Sequence, residues 1–185
     1  MASNTTVVHQ TLANLQAAYE GESNAHAKYT TFAVKADQEG YRDVASLFRA
    51  AARAEQIHAE NHARVIRTMS AEPTCTIHAV VPGTTRDNLL MAIEGEEYER
   101  DVMYPGFIAE AIASNQKGAL RTFRLALEVE AEHARLYRAA LDNLRAGRPQ
   151  VNYYVCVICG FTTADGNFAR CLVCNNPRER FETVS

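Results

Sequence analysis

Apolar positions recur at helical spacing in four long blocks. Leu12, Leu15, Tyr19, Tyr29 and Phe32 form one stripe through residues 5–37, the pattern of an amphipathic helix. Gln38-Glu39-Gly40-Tyr41 reads as a turn, and a second helix over 42–70 places Val44, Phe48, Ala51 and Val65 on one face. Residues 71–85 carry Pro73, Pro82 and Gly83, which break helices. Fifteen extended residues span about 50 Å, enough to run the length of a bundle. In the third helix, 86–113, a stripe through Leu89, Ala92 and Met103 competes with one through Leu90, Ile93 and Tyr104, and Pro105-Gly106 should kink or interrupt it. After Ser114–Gly118 the fourth helix aligns Phe123, Leu127, Tyr137 and Leu141 and ends near Gly147. Short turns inside each pair and one long link between pairs predict a mainly α chain: a four-helix bundle with a single crossover.

The apolar seam of this bundle contains groups that do not belong in one. Glu22 falls between Tyr19 and Tyr29, Glu55 and His58 share the inner face of the second helix, and Glu130 and His133 share that of the fourth. Residues three apart on a helix face the same way, so each Glu-x-x-His aims a carboxylate and an imidazole at one point. Gly21-Glu22 precedes Glu55 by nearly the same interval as Gly95-Glu96 precedes Glu130. This parallel marks an internal repeat with an offset of about 75 residues. It also selects the third-helix stripe that carries Leu89, Ala92, Glu96, Glu99 and Met103.

Burying such groups without partners is costly. Five carboxylates (Glu22, Glu55, Glu96, Glu99, Glu130) and two imidazoles (His58, His133) suit two ions of iron or manganese, or zinc in their place. The equivalence of Glu55 and Glu130 in the repeat makes them bridges across both metals, with Glu22 and Glu96 as terminal ligands. Glu99 has no counterpart in the first half, where Ala25 or Ser23 would stand, so the two metal sites differ. Tyr29 and Tyr104, two turns from a ligand glutamate, either pack in the core or bond a ligand carboxylate. His26, His62, Glu60 and Glu128 read as solvated groups or as supports behind the ligands.

Four of the five cysteines fall in two Cys-x-x-Cys pairs, Cys156/Cys159 and Cys171/Cys174, leaving Cys75 as an ordinary loop or buried thiol. Four thiolates so spaced make a tetrahedral site for iron or zinc and imply a reducing compartment. Some 35 residues cannot build a core alone, so the metal holds this module together. The chain therefore divides into a bundle, 1–147, and a cysteine knuckle, 148–185. Hydrophobic residues make up 47% of the chain and the net charge is −3, without runs of like charge, which argues against nucleic acid or an anionic membrane as a partner. Met1–Gln10 lacks the cationic and apolar regions of a secretory leader, and no apolar run approaches a membrane span.

Taken together, Gly21-Glu22-Ser23, Glu55-Gln56-Ile57-His58, Gly95-Glu96 with Glu99, Met103-Tyr104-Pro105 and Glu130-Ala131-Glu132-His133, followed by a cysteine segment with Pro177 and Phe181, resemble the rubrerythrin family over nearly the whole chain. In one departure, the second knuckle reads Cys-Leu-Val-Cys where rubredoxin-like sites usually place Pro after the cysteine. The resemblance implies a ferritin-like di-iron bundle with a rubredoxin-like Fe(Cys)4 tail. It implies a cytoplasmic peroxidase that reduces hydrogen peroxide to water with electrons from a reductase linked to reduced nicotinamide. It implies a homodimer, helix-swapped or not, in which the tail iron of one subunit lies near the di-iron site of its partner. By the same resemblance, His58 and Glu99 alternate as ligands to one iron; for the reduction of peroxide a nearby carboxylic acid, among Glu22, Glu96 and Glu99, is expected to supply the protons. The residues themselves leave two other readings open: a ferroxidase that uses dioxygen to handle iron, and a metal-binding or redox module without turnover.

Overall fold

Helix α1 (Asn4–Gln38) and helix α2 (Arg42–Thr68) form the first antiparallel pair. The computed structural model describes residues 4–185, with side chains from residue 9 onward; Met1, Ala2 and Ser3, part of the stretch read above as lacking a leader, lie outside it. Gly40 takes φ +82° between the two helices, and the Tyr41 N–H reaches back to the Ala36 carbonyl. A left-handed residue there closes the helix end, which is why glycine occupies it.

The crossover that follows is gripped by α1. Gln16, Glu20 and Asn24, one turn apart, bond the backbone of Glu72, Thr74, Thr76 and His78 at 2.7–3.1 Å. Side chains of one helix face thus satisfy the polar backbone of an otherwise irregular segment. The crossover ends at Thr84, which caps α3 (Thr85–Tyr98) in a reciprocal capping box with Asp87.

The third bundle helix does not break at Pro105-Gly106. It passes from α3 through a π-helical segment, Glu99–Met103, into α4 (Tyr104–Ala113). Pro105 has no N–H to give, and the Tyr104 N–H bonds the Glu99 carbonyl five residues back. A π turn inserts one residue, and this insertion shifts the inner face. Leu89, Ala92 and Glu96 are buried as expected, but beyond Glu96 the buried position passes from Met103 to Tyr104. The repeat records the same event. Tyr29/Tyr104, Glu55/Glu130 and His58/His133 share one offset, whereas Glu22 and Glu96 are one position closer together.

Helix α5 (Lys117–Asp142) completes the bundle against α3, α4 and α2, so all four bundle helices come from one chain. Two aromatic clusters flank its middle. Tyr29, Phe32, Phe48 and Tyr137 pack with ring centroids 5.3–6.2 Å apart. Tyr104, Phe107, Phe123 and His62 pack at 5.4–6.4 Å. Each member of one cluster has its counterpart in the other at that same repeat offset, with His62 opposite Tyr137.

A connector over 143–152, within which the expected 147/148 division falls, is tied to α2 through the Val151 N–H to Ser46 Oγ, and to the preceding turn through the Gly147 N–H to the Gly40 carbonyl. The tail is a small antiparallel sheet of β1 (Tyr153–Cys156), β2 (Thr162–Thr163) and β3 (Phe181–Val184), in the order β2-β1-β3. It sits on α2 and α5 of its own bundle. Val155 packs against Ala50, Ala54 and Ile57, and Phe161 and the knuckle cysteines pack on Val129. Arg53 pairs with Glu182, and Arg49 Nε donates to the Ser185 carbonyl at 2.7 Å. Within this one chain, its own tail occupies the position at which the resemblance places a partner's. Among the described residues, no helix is long and apolar enough to cross a membrane.

Candidate metal centre

The layer between the two aromatic clusters is polar and closed. Glu22 from α1, Glu55 and His58 from α2, Glu96 from α3, and Glu130 and His133 from α5 are all at most 1% exposed. His58 Nδ1 lies 3.0 Å from Glu55 Oε2, 3.0 Å from Glu130 Oε1 and 3.7 Å from Glu22 Oε2. His133 Nδ1 lies 3.1 Å from Glu55 Oε1, 3.1 Å from Glu130 Oε2 and 3.7 Å from Glu96 Oε2. The two Glu-x-x-His helices thus generate two near-identical quartets, Glu22/Glu55/His58/Glu130 and Glu55/Glu96/Glu130/His133, with the ligand atoms of each within 4.8 Å of one another. Glu55 and Glu130 belong to both, turning one oxygen to each side.

These atoms are also the ones left without hydrogen bonds. Among the described residues, nine buried side-chain N or O atoms lack a partner; the Tyr137 hydroxyl is one, and the other eight are carboxylate oxygens and Nδ1 atoms of these six residues. Interiors seldom leave such groups orphaned. Eight orphans converging on two points fit two cations with oxygen and nitrogen ligands.

The electrostatics say the same. Burial pushes the Glu130 carboxyl up to about 8, with Glu55 and Glu22 adding to the rise and His58 opposing it. Glu55 rises as well: burial raises it most, His133 pulls it back, and the charges of Glu96 and Glu22 add to the rise. Against burial, Glu130 and Glu22 raise His58, and Glu55, Glu130 and Glu96 raise His133. Glu22 is held below the usual carboxylate range by the His58 and His62 imidazoles, again against burial. Four carboxylates here demand positive charge, which two divalent ions supply.

Supporting bonds orient the ligands. Tyr29 Oη donates to Glu96 Oε1 at 2.5 Å, and Tyr104 Oη donates to Glu22 Oε1. Each tyrosine serves the terminal carboxylate of the opposite half. Behind the imidazoles stands the tail. His58 Nε2 lies 3.0 Å from the Cys159 carbonyl, which can only accept, so Nε2 carries the proton and Nδ1 presents its lone pair inward. His133 Nε2 lies 3.4 Å from Thr162 Oγ1, whose own proton goes to the Gly160 carbonyl. Gly160 takes φ +82°, and a Cβ there would fall 2.5 Å from His58 Nε2, so glycine alone lets the knuckle approach this closely.

Glu99 is placed differently. It opens the π segment, is half-buried and joins neither quartet. Its carboxyl feels them nonetheless: burial and then the charges of Glu22, Glu96, Glu130 and Glu55 hold it well above the usual range. His58, not Glu99, occupies the ligand position in this structure.

The tail cysteines converge too. Cys156 Sγ lies 3.6 Å from Cys174 Sγ, and Cys159 Sγ lies 3.5 Å from Cys171 Sγ, spacings that suit a tetrahedral ion with bonds of about 2.3 Å. Gly160 and Asn175 both take positive φ, each four residues after the first cysteine of its pair. Cys75 is exposed on the crossover.

Sequence reasoning underplayed His62, which is fully buried between Tyr104 Oη and Thr122 Oγ1, both at 3.1 Å. It passed over Thr122, Thr162 and Gly160 altogether. Gly160 follows Cys159 directly, a position where a tight approach was foreseeable, whereas nothing local marks the two threonines. His26 Nδ1 bonds the Ala52 carbonyl, Glu60 takes a bond from Gln56, and Glu128 is exposed.

Comparison with known proteins agrees with this geometry. A family model described as rubrerythrin matches residues 13–141. The chain is 37% identical to rubrerythrin-2 of Clostridium acetobutylicum over 172 residues, 91% of this chain and 93% of that one. It is 36% identical to nigerythrin of Nitratidesulfovibrio vulgaris, covering 98% of this chain and 90% of the relative. The solved structure of fully reduced, all-ferrous nigerythrin superposes with a TM-score of 0.88 over 94% of this chain and 86% of that chain, at 36% identity. A bacterioferritin from Desulfovibrio desulfuricans shares the fold, with a TM-score of 0.73 at 20% identity over 91% of this chain and 99% of that one.

Proposed function

This chain belongs to the rubrerythrin family and is a di-iron oxidoreductase with a ferritin-like bundle and a four-cysteine iron tail, and from that premise we propose that it is a peroxidase that reduces hydrogen peroxide to water. One observation carries the reading. The tetrathiolate knuckle is docked directly behind a ligand of the bundle site, with the Cys159 carbonyl bonded to His58 Nε2. A one-electron centre placed there supports a site that receives electrons and spends them on an oxidant.

We assign residues 1–147 as the reducing bundle and 148–185 as the electron relay. Glu55 and Glu130 would hold both irons, Glu22 and His58 one of them, and Glu96 and His133 the other. Cys156, Cys159, Cys171 and Cys174 hold the relay iron. Bound ferrous ions supply one electron each and polarise the oxygens between them. The residues do the rest. The buried layer excludes bulk water, Tyr29 and Tyr104 hold the terminal carboxylates in place, and Glu99, which feels the site's charges from outside both quartets, is positioned to protonate the departing oxygen. Glu99 would be the carboxylate that takes the place of His58 on oxidised iron. Per peroxide the balance is two electrons and two protons in, one O–O bond broken, two waters out. The electrons come in the cytoplasm from a reductase that uses reduced nicotinamide, and the working unit is a homodimer.

Stopped-flow reoxidation of the diferrous protein tests this. Peroxide should react much faster than dioxygen, and Cys174→Ser should lose steady-state peroxide consumption while keeping its di-iron site. Faster reaction with dioxygen would make the chain a ferroxidase; a single turnover with a competent donor would make it a metal-binding or redox module.

A further inference from the structure

The two halves of the repeat differ sharply behind their tyrosines. In one half, Tyr104 Oη, His62 and Thr122 Oγ1 form a continuous buried chain ending at Glu22. In the other, the counterparts at the repeat offset are Tyr29, Tyr137 and Leu47. There the chain stops at Tyr29: the Tyr137 hydroxyl has no partner, and Leu47 is buried and apolar.

The polar chain has a direction. Tyr104 gives its only proton to Glu22 Oε1, so its oxygen must accept from His62 Nε2–H. A neutral imidazole protonated at Nε2 has a bare Nδ1, which accepts from the Thr122 hydroxyl. Every donor therefore points toward the carboxylate. At the outer end, Thr122 is 6% exposed and lines a cleft of about 320 Å³ between α2, α5 and the tail, with Asn61, Arg64, Arg121 and Ile158.

We propose that Thr122, His62 and Tyr104 are a one-sided proton wire from this cleft to Glu22. The proposal rests on the peroxidase reading and names the route for its protons. In one hop the Thr122 proton passes to Nδ1 as Nε2 releases its own to Tyr104, whose proton passes to Glu22; water in the cleft restores Thr122. The imidazole gains and loses one proton together and stays neutral. Glu22 would then release that proton as one of the two taken up per peroxide, beside the one from Glu99, while bound ferrous ions would supply the two electrons. Rotation of the hydroxyls and exchange of the His62 tautomer reset the wire.

The first test needs no turnover. In zinc-loaded protein, long-range 15N–1H spectra of the imidazole rings should show His62 protonated at Nε2 with Nδ1 accepting a hydrogen bond. The Nδ1–H tautomer would overturn the wire, because it reverses the donor order. The second test uses the diferrous protein. His62→Gln should slow oxidation by peroxide about 100-fold, the lower end of the scale of proton-transfer catalysis, and raise the solvent isotope effect while two irons per chain remain. Added imidazole should rescue His62→Ala. Thr122→Val, which touches no ligand, should slow the reaction about tenfold and decides the matter if His62→Gln loses iron. Unchanged rate and isotope effect in Thr122→Val overturn the proposal. If the wild type reacts with dioxygen instead, the peroxidase reading fails, and the same rates and tautomer, measured with dioxygen, still test the wire.

Discussion

The first half of the bundle, α1 and α2, and the second, α3 to α5, present the same ligands in the same order and then part company. Glu22 answers Glu96, Glu55 answers Glu130, His58 answers His133, and each half lends its tyrosine to the other's terminal carboxylate. The differences gather on one side of the metal layer. The Glu22–His58 quartet has the polar chain through His62 and, on His58, the tighter of the two tail contacts. Only the second half has a π segment and Glu99. A duplicated scaffold thus supplies two metal positions, and asymmetry around it assigns them different work: one side faces the proton route and the electron relay, the other is sealed by Tyr137 and Leu47.

The largest effects should fall on what the halves share. Glu55→Ala or Glu130→Ala should lose both ions together, taking iron in the bundle from two to near none and lowering the melting temperature, because ions that bind only the folded state stabilise it. Glu22→Ala or Glu96→Ala should weaken one position and spare the other. Metal analysis with calorimetry separates the cases, and two irons at normal affinity in either bridge variant would refute the bridging assignment.

Next in size are the flanking clusters. Phe48→Ala and Phe123→Ala, each removing a fully buried ring, should each cost about 3–5 kcal/mol in chemical denaturation. A large gap between them would show that the two halves are not energetically equivalent.

Gly160→Ala sharpens the asymmetry. The new Cβ meets His58 Nε2 in a backbone conformation that already strains an L-residue, and such a change should weaken docking of the tail about tenfold or more. Electron transfer from tail to bundle should slow accordingly, with the absorbance of the tetrathiolate iron retained. Unchanged transfer would place the relay elsewhere.

The smallest effect concerns a tie between the halves. Glu39, at the end of the first pair, accepts from the Thr85 N–H at 2.8 Å and from Thr85 Oγ1 at 2.7 Å at the start of α3, with Lys35 beside it. These bonds hold its carboxyl at about 2, below the 4.5 of a free carboxyl. A depressed folded value means stability that is present above pH 4.5 and lost as the pH falls toward 2. Glu39→Gln should therefore lower the melting temperature by roughly 2 °C at neutral pH, and the difference from wild type should narrow below pH 4.5 and close by about pH 2. A gap that persists at pH 2 would assign the effect to packing instead.

The ligands were readable because their chemistry is local. Two Glu-x-x-His words and their upstream glutamates, set in apolar stripes, need only helical periodicity to converge. The π segment was half visible. The interval from Glu96 to Glu130 is longer than that from Glu22 to Glu55 by the one residue it inserts. The offsets confine the extra residue to between Glu96 and Tyr104 but do not show that the helix runs on through it, so regular periodicity carries the stripe to Met103 when Tyr104 is the buried one. What periodicity could not reach is long-range. His62 is one helical turn beyond His58 on the same face, yet its role depends on Tyr104 and Thr122, which are 42 and 60 residues away. The docking of Cys159 on His58 spans 101 residues. Likewise Gln16, Glu20 and Asn24 look like a solvated helix face until the crossover lies across them.

Anomalous diffraction at the iron edge from crystals of the iron-loaded protein tests the central claim most directly. The account predicts two iron peaks about 3.5–4 Å apart between Glu55 and Glu130, each next to one histidine Nδ1, and a third among the four cysteines. A single ion in the bundle, or ions lying away from the two bridging carboxylates, would contradict it.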